Sequence, residues 1–105
     1  MPEARRLVWS PKADDDLRGI WQYFARVASP EIADKLLREI KLRGERVAER
    51  PFLLGRARDE IRSGLRSALV HPHIIFYRVT DTTVELVRVL HQRRNFSALL
   101  ANDEC

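Results

Sequence analysis

A single cysteine, Cys105, is present among 105 residues. No intrachain disulfide is available to such a chain, and metal sites built from several cysteines are excluded. There is no apolar run of membrane-spanning length. The N-terminal Met1-Pro2-Glu3-Ala4-Arg5-Arg6 lacks the apolar core of a signal peptide, so the expectation is a cytoplasmic protein without a membrane partner. Internal repeats and low-complexity segments are absent. Lysine is missing after Lys41: from Gly55 to Phe96 the cations are eight arginines, set against four acids, Asp59, Glu60, Asp81 and Glu85. Arginine is the better residue for planar, bidentate contacts with carboxylate or phosphate.

The composition is that of a globular protein, with 45% hydrophobic and 32% charged residues. The length fits one domain, residues 1–105, able to bury a modest core. A net charge of +4 and a pI of about 9.8 permit an anionic partner without requiring one.

Leu7-Val8-Trp9 reads as a first short strand. Ser10-Pro11 then supplies an N-cap and a proline at the first helical position, and Asp14, Asp15 and Asp16 suit the positive end of the helix dipole. Ala13, Leu17, Ile20, Trp21 and Phe24 recur at helical spacing, which predicts a buried stripe on a helix running to about Val27. Ser29-Pro30-Glu31 repeats the start signal. Ala33, Leu36, Leu37, Ile40, Val47 and Ala48 continue the helical period, Asp34 with Arg38 and Glu39 with Arg43 form i,i+4 couples, and Pro51 ends the helix. The short link makes the two helices an antiparallel hairpin.

Phe52 to Ser63 reads as a polar connection. Three strands follow, Leu65–Val70, Ile74–Val79 and Val84–Leu90, joined by His71-Pro72-His73 and Asp81-Thr82-Thr83. These links are short enough for an antiparallel meander. The order is β-α-α-β-β-β, a helical hairpin packed on a small, mainly antiparallel sheet of the α+β class. The tail from Ala98 to Cys105, with Leu99-Leu100, reads as a short helix or a frayed end. The last strand stops abruptly at His91-Gln92-Arg93-Arg94, where protonatable and cationic groups succeed a buried run.

Several pieces in this order carry a resemblance. They are Trp9-Ser10-Pro11-Lys12-Ala13 leading into Asp16-Leu17, then Ile20-Trp21 with Tyr23, then Pro51 ahead of Gly55-Arg56. Gly64-Leu65-Arg66, Ile75-Phe76-Tyr77-Arg78 and Val89-Leu90-His91-Gln92-Arg93-Arg94 complete the set. Together, over nearly the whole chain, they resemble the ParE toxins of the RelE/ParE superfamily. The resemblance implies the toxin of a type II toxin–antitoxin pair with the fold already read, and no cofactor. It implies a ParD-like antitoxin whose C-terminal segment wraps over the hairpin and sheet, in a heterotetramer or larger complex that meets operator DNA through the antitoxin. ParE-like members poison DNA gyrase; RelE-like members cut mRNA on the ribosome.

A nuclease of the second kind needs a base, a proton donor and cations around the phosphorane. Arg66, Arg78 and His91 are its candidates here, with Glu49 as a base in the manner of the RelE relative YoeB. The missing lysines, and Gln92 after His91 where a tyrosine would serve, remove the proton-transfer set. The expectation is therefore a gyrase poison without chemistry of its own, with Arg66, Arg78, His91, Arg93 and Arg94 as target contacts. The alternative is an mRNA endonuclease. A third reading is an inactive module that represses its operon with the antitoxin. Antitoxin contacts are expected at Leu17, Trp21, Tyr23, Phe24, Leu37 and Arg78. Taken singly, Arg66 and Arg78 read as surface cations paired with Glu85 or Asp59. Likewise His91 reads as structural, and His71 and His73 as exposed loop residues. Metal binding by the histidines is not expected, since no short spacing with acids or cysteines supports it.

Overall fold

Two Ser-Pro pairs start the two long helices. Ser10 has extended backbone, its Oγ accepts the Ala13 N–H at 3.1 Å, and α1 runs Pro11–Val27. Ser29 repeats the arrangement with the Ile32 N–H at 3.1 Å, and α2 runs Pro30–Glu49. Each serine satisfies one of the backbone donors that a helix start leaves open. The helix-to-helix link is only Ala28 and Ser29, so the helices lie side by side. Trp21 Nε1–H, on α1, donates to Asp34 on α2 at 2.8 Å. Asp34 is thereby turned away from the expected couple with Arg38, and Arg43 Nε is buried without a hydrogen-bond partner.

The computed structural model describes residues 5–94 and 96–101. Its strands are β1 (Arg6–Trp9), β2 (Arg56–Ala57), β3 (Leu65–Val70), β4 (His73–Val79) and β5 (Thr83–His91), followed by the short helix α3 (Phe96–Ala101). The five form one sheet in the order β1-β5-β4-β3-β2. β3, β4 and β5 make the expected antiparallel meander, while β1 joins its far side parallel to β5, Arg6 opposite Thr83 and Trp9 opposite Leu86. The connection after α2 is not wholly irregular: its β2 pairs Arg56 with Ser67 and Ala57 with Arg66.

Both faces of the sheet are covered. The helical hairpin buries Ala13, Leu17, Ile40, Val47 and Ala48 against Ala68, Ile75, Tyr77, Val84, Leu86 and Val89. On the opposite face Leu65, Ile74, Phe76 and Leu90 close over Leu100 of α3, with Ile61 and Leu99 alongside. The tail thus contributes a helix, and its residues beyond Ala101 lie outside the described ones. Two-sided cover explains why β4 is buried continuously from His73 to Tyr77 instead of alternating. At the hairpin end of β1, the Trp9 indole packs against α2 at Gly44. A Cβ on Gly44 would come within 3.0 Å of the indole Cζ2, so glycine admits the ring.

Candidate functional site

β1 ends opposite Leu86, but β5 continues to His91 with no strand on its outer side. An unpaired edge must find other partners for its backbone groups. The start of α1 provides them. Ser10 N–H donates to Leu86 O at 3.0 Å, and Ser10 Oγ donates to Val87 O at 2.9 Å. Farther along, the Val89 N–H donates to Asp16 Oδ2 at 2.9 Å. Arg88 Nε and Nη2 clamp the same carboxylate at 2.8 and 3.0 Å. Both side chains of this pair are only 14% exposed. The sequence reading assigned no role to Arg88, and took Asp16 for a helix-dipole acid.

Past this clamp, α1 and the end of β5 diverge to leave a groove of about 650 Å³. Ile20, Tyr23, Phe24 and Val27 line it from the helix, and His73, Val89, Leu90, His91 and Arg94 from the sheet side. Tyr23 and Val27 are more than half exposed, at 52% and 55%. His73 is a correction to the sequence reading, which placed it in an exposed turn. It is 3% exposed, opens β4 and pairs with His91 across the sheet. Its ring stands edge-on between Phe24, 6.2 Å away, and His91, 5.5 Å away, and its Nδ1 has no hydrogen-bond partner. Burial pushes its pKa below the ordinary value, and positive charge on His91 and His71 would add to the shift. His91 accepts the Arg93 N–H at Nδ1, 3.1 Å, which leaves its ring proton at Nε2.

Of the other sequence candidates, Arg94 joins His91 at this groove, while Arg66, Arg78 and Glu49 converge neither on it nor on one another. Arg66 projects to the hairpin side, opposite Tyr77 in the sheet. It is folded into the loop after α2, donating to Pro51 O at 3.0 Å, Phe52 O at 3.3 Å and Gly55 O at 3.1 Å. Arg78 follows Tyr77 and so points from the other face, where it pairs with Glu85 at 2.6 Å. The expectation that Glu85 would take up an arginine charge applies to Arg78. Asp59 instead accepts the Gly64 N–H at 2.9 Å. His91 sits opposite His73, five residues up β4 from Arg78, which is roughly 17 Å at the rise of a strand. Glu49 is exposed at the end of α2 and bonds to none of these residues. Arg93 and Arg94 are exposed in the turn after β5.

Among the antitoxin candidates, Tyr23 and Phe24 front the groove. Leu17 lies inside the core at 5% exposure, Leu37 packs on that core, Trp21 bridges the two helices, and Arg78 is on the far face. Among the described residues no group of three or more His, Cys, Asp or Glu is placed to hold a metal ion, and no helix is long and apolar enough to cross a membrane.

A family model described as ParE toxin of type II toxin–antitoxin system, parDE, matches residues 7–96. Toxin ParE1 of Mycobacterium tuberculosis (strain H37Rv) is 42% identical over 89 residues, covering 84% of this chain and 90% of that protein. Toxin ParE1 of Caulobacter vibrioides (strain CB 15) is 37% identical over 91 residues, covering 87% and 93%. Among solved structures, the chromosomal ParDE system from P. aeruginosa superposes with a TM-score of 0.74 at 23% identity, over 84% of this chain and 96% of that one. The YoeB dimer from Staphylococcus aureus gives 0.57 at 18% identity, over 85% and 98%. At these identities the structural likeness is one of fold.

Proposed function

We propose, from the premise that the chain belongs to the ParE family of toxins of type II toxin–antitoxin systems, that it poisons DNA gyrase by binding and performs no chemistry of its own. The observation that carries this reading is the dispersal of the nuclease candidates. Arg66 is bound up in carbonyls, Arg78 is ion-paired on the opposite face, and His91 stands roughly 17 Å along the strand from it. A phosphorane needs its cations and its proton-transfer groups within hydrogen-bond reach of one phosphate. The arrangement supports a binding protein over an mRNA endonuclease.

The antitoxin in this reading is ParD-like and lays an apolar segment in the groove between α1 and β5. Tyr23, Phe24 and Val27 supply the apolar wall and Arg94 a cation for an acidic side chain. Helix-in-groove recognition asks for apolar anchors at helical spacing, and an acidic-apolar segment meets both requirements. The toxin then works in the cytoplasm, where gyrase and the antitoxin are, and reaches operator DNA only through the antitoxin.

The test is a pair of assays on purified toxin freed of antitoxin: supercoiling and DNA cleavage by gyrase, and translation with mapping of mRNA cuts. Loss of supercoiling with accumulated cleaved DNA, and intact message, is the expected result. Normal supercoiling at excess toxin refutes the gyrase reading, and cuts in ribosome-bound message would replace it.

A further inference from the structure

The groove and the strand end leave one large surface feature unused. Immediately after α2, Phe52, Leu53 and Leu54 are exposed at 63%, 68% and 37%. Three successive large apolar side chains on the surface are uncommon without a partner. Nor are they loose. The Leu53 and Leu54 N–H groups both donate to Arg50 O at 3.1 Å. The buried Tyr77 OH donates to Pro51 O at 2.6 Å, and Arg66 grips three carbonyls of the same turn. Arg5 and Arg66 each set a guanidinium 5.5 Å from the Phe52 ring centre. The fold thus presents a preorganised apolar knuckle, the kind of anchor that loses little entropy on docking.

We propose that this Phe52–Leu54 knuckle is the element with which the toxin engages its protein target, seating in an apolar cleft with an acidic rim. The inference rests on the reading above that the chain acts by binding a protein. Charge identifies the rim: from Arg50 to Arg66 there are five arginines and two acids. The same charge disfavours a second copy of this chain, because two knuckles meeting face to face would bring like charges together. A nucleic acid is a poorer fit, since its phosphate backbone would leave three apolar side chains in water. Arg66, Arg58 and Arg5 are engaged within the fold, and Arg50 and Arg56 stand exposed beside the knuckle to meet the acidic rim. The site also stands apart from the groove. Tyr77, which holds the knuckle, is four residues along β4 from His73, roughly 13 Å.

The experiment uses the full chain with Leu53→Ser/Leu54→Ser, the conservative Leu53→Met, and Leu69→Ser as an exposed apolar control elsewhere (Leu69 is 52% exposed). Each variant is induced in cells without antitoxin to score growth arrest. Each is also purified to measure affinity for the antitoxin and for gyrase. The double variant should lose growth arrest and bind gyrase about 30-fold more weakly, the scale of a lost interface hot spot, with unchanged antitoxin affinity. Leu53→Met and Leu69→Ser should behave as wild type. Unchanged growth arrest in the double variant overturns the inference, as does an equal loss of antitoxin affinity. Binding of wild type to phosphatidylglycerol vesicles that the double variant abolishes would assign the knuckle to a lipid surface instead, and also overturns it. If wild type arrests growth without touching gyrase, the gyrase reading fails alone, and growth arrest by the variants still decides on the knuckle.

Discussion

Gly55→Ala tests the clamp beneath the knuckle. A Cβ at Gly55 would fall 1.9 Å from the Tyr77 hydroxyl, and 2.8 Å from both Tyr77 Cζ and Ser67 O. Its φ is not in the left-handed region, so space alone forbids the methyl group. The hydroxyl cannot yield without breaking its buried bond to Pro51 O. Overpacking costs about 1–3 kcal/mol, and a broken buried hydrogen bond about 1–3 more. Alanine returns only about 0.4–1 kcal/mol through a stiffer unfolded chain. The net loss is on the order of 3 kcal/mol, a fall in Tm of roughly 10–20 °C for a domain of this size. Tyr77→Phe alone should cost about 1 kcal/mol, because Pro51 O keeps its bond from Arg66 Nε at 3.0 Å. In the double variant the 1.9 Å contact no longer exists. Its loss should therefore fall short of the sum of the singles by at least about 1 kcal/mol. Urea denaturation of the isolated chain measures all four corners of the cycle. Additivity, or a Gly55→Ala protein as stable as wild type, would refute the clamp.

Three further outcomes follow from the strand edge and the groove. Asp16→Ala removes the carboxylate that accepts from both the Arg88 guanidinium and the Val89 N–H, and should cost about 3–5 kcal/mol in urea denaturation. Asp16→Asn, which keeps an acceptor for Val89, should cost less. Because the folded pKa of His73 is lowered, the unfolded chain takes up its proton first. Stability should be full above the ordinary histidine value of 6.5 and decline as the pH falls from there through the lowered folded value. Denaturation across pH 4–8 checks this, and His73→Phe should flatten the decline. Tyr23→Glu/Val27→Asp, at two exposed wall positions, should weaken antitoxin binding by tenfold or more while changing Tm little. An unchanged calorimetric affinity would remove the antitoxin from the groove.

What the sequence discloses and what it hides divides by the range of the interaction. The two Ser-Pro starts are local events, so α1 and α2 were legible to within a residue or two. The meander was legible because its strands are separated by short turn segments. His73 was misjudged because its burial depends on the helix laid over it and on His91 across the sheet, while its neighbour Pro72 advertises a turn. Arg66 was read as a surface cation, paired with Glu85 or Asp59 or set against the target. Its true partners are carbonyls of a loop more than ten residues away, and nothing in the Gly64-Leu65-Arg66 triplet encodes them. A helical stripe names the buried side of α1, yet it does not separate Leu17, deep in the core, from Phe24 at the groove wall. That distinction arises where β5 outruns β1. The exposed leucines of the knuckle had no sequence signal beyond being apolar residues in a polar connection.

The parallel pairing of the first strand with the last also has a consequence in time. Ser10 reaches Val87 across 77 positions. At about 5–20 residues per second, the partner of β1 is made roughly 4–15 s after β1 itself. In the later part of that interval, once α2 is complete at Glu49, the helical hairpin exists without the strand that caps its apolar stripe. During synthesis, then, the ribosome carries an unfinished toxin whose edge and groove have not yet formed. If the antitoxin docks in the groove as proposed, it can do so only after β5 has emerged, so completion of that last strand sets the earliest moment at which neutralisation can begin.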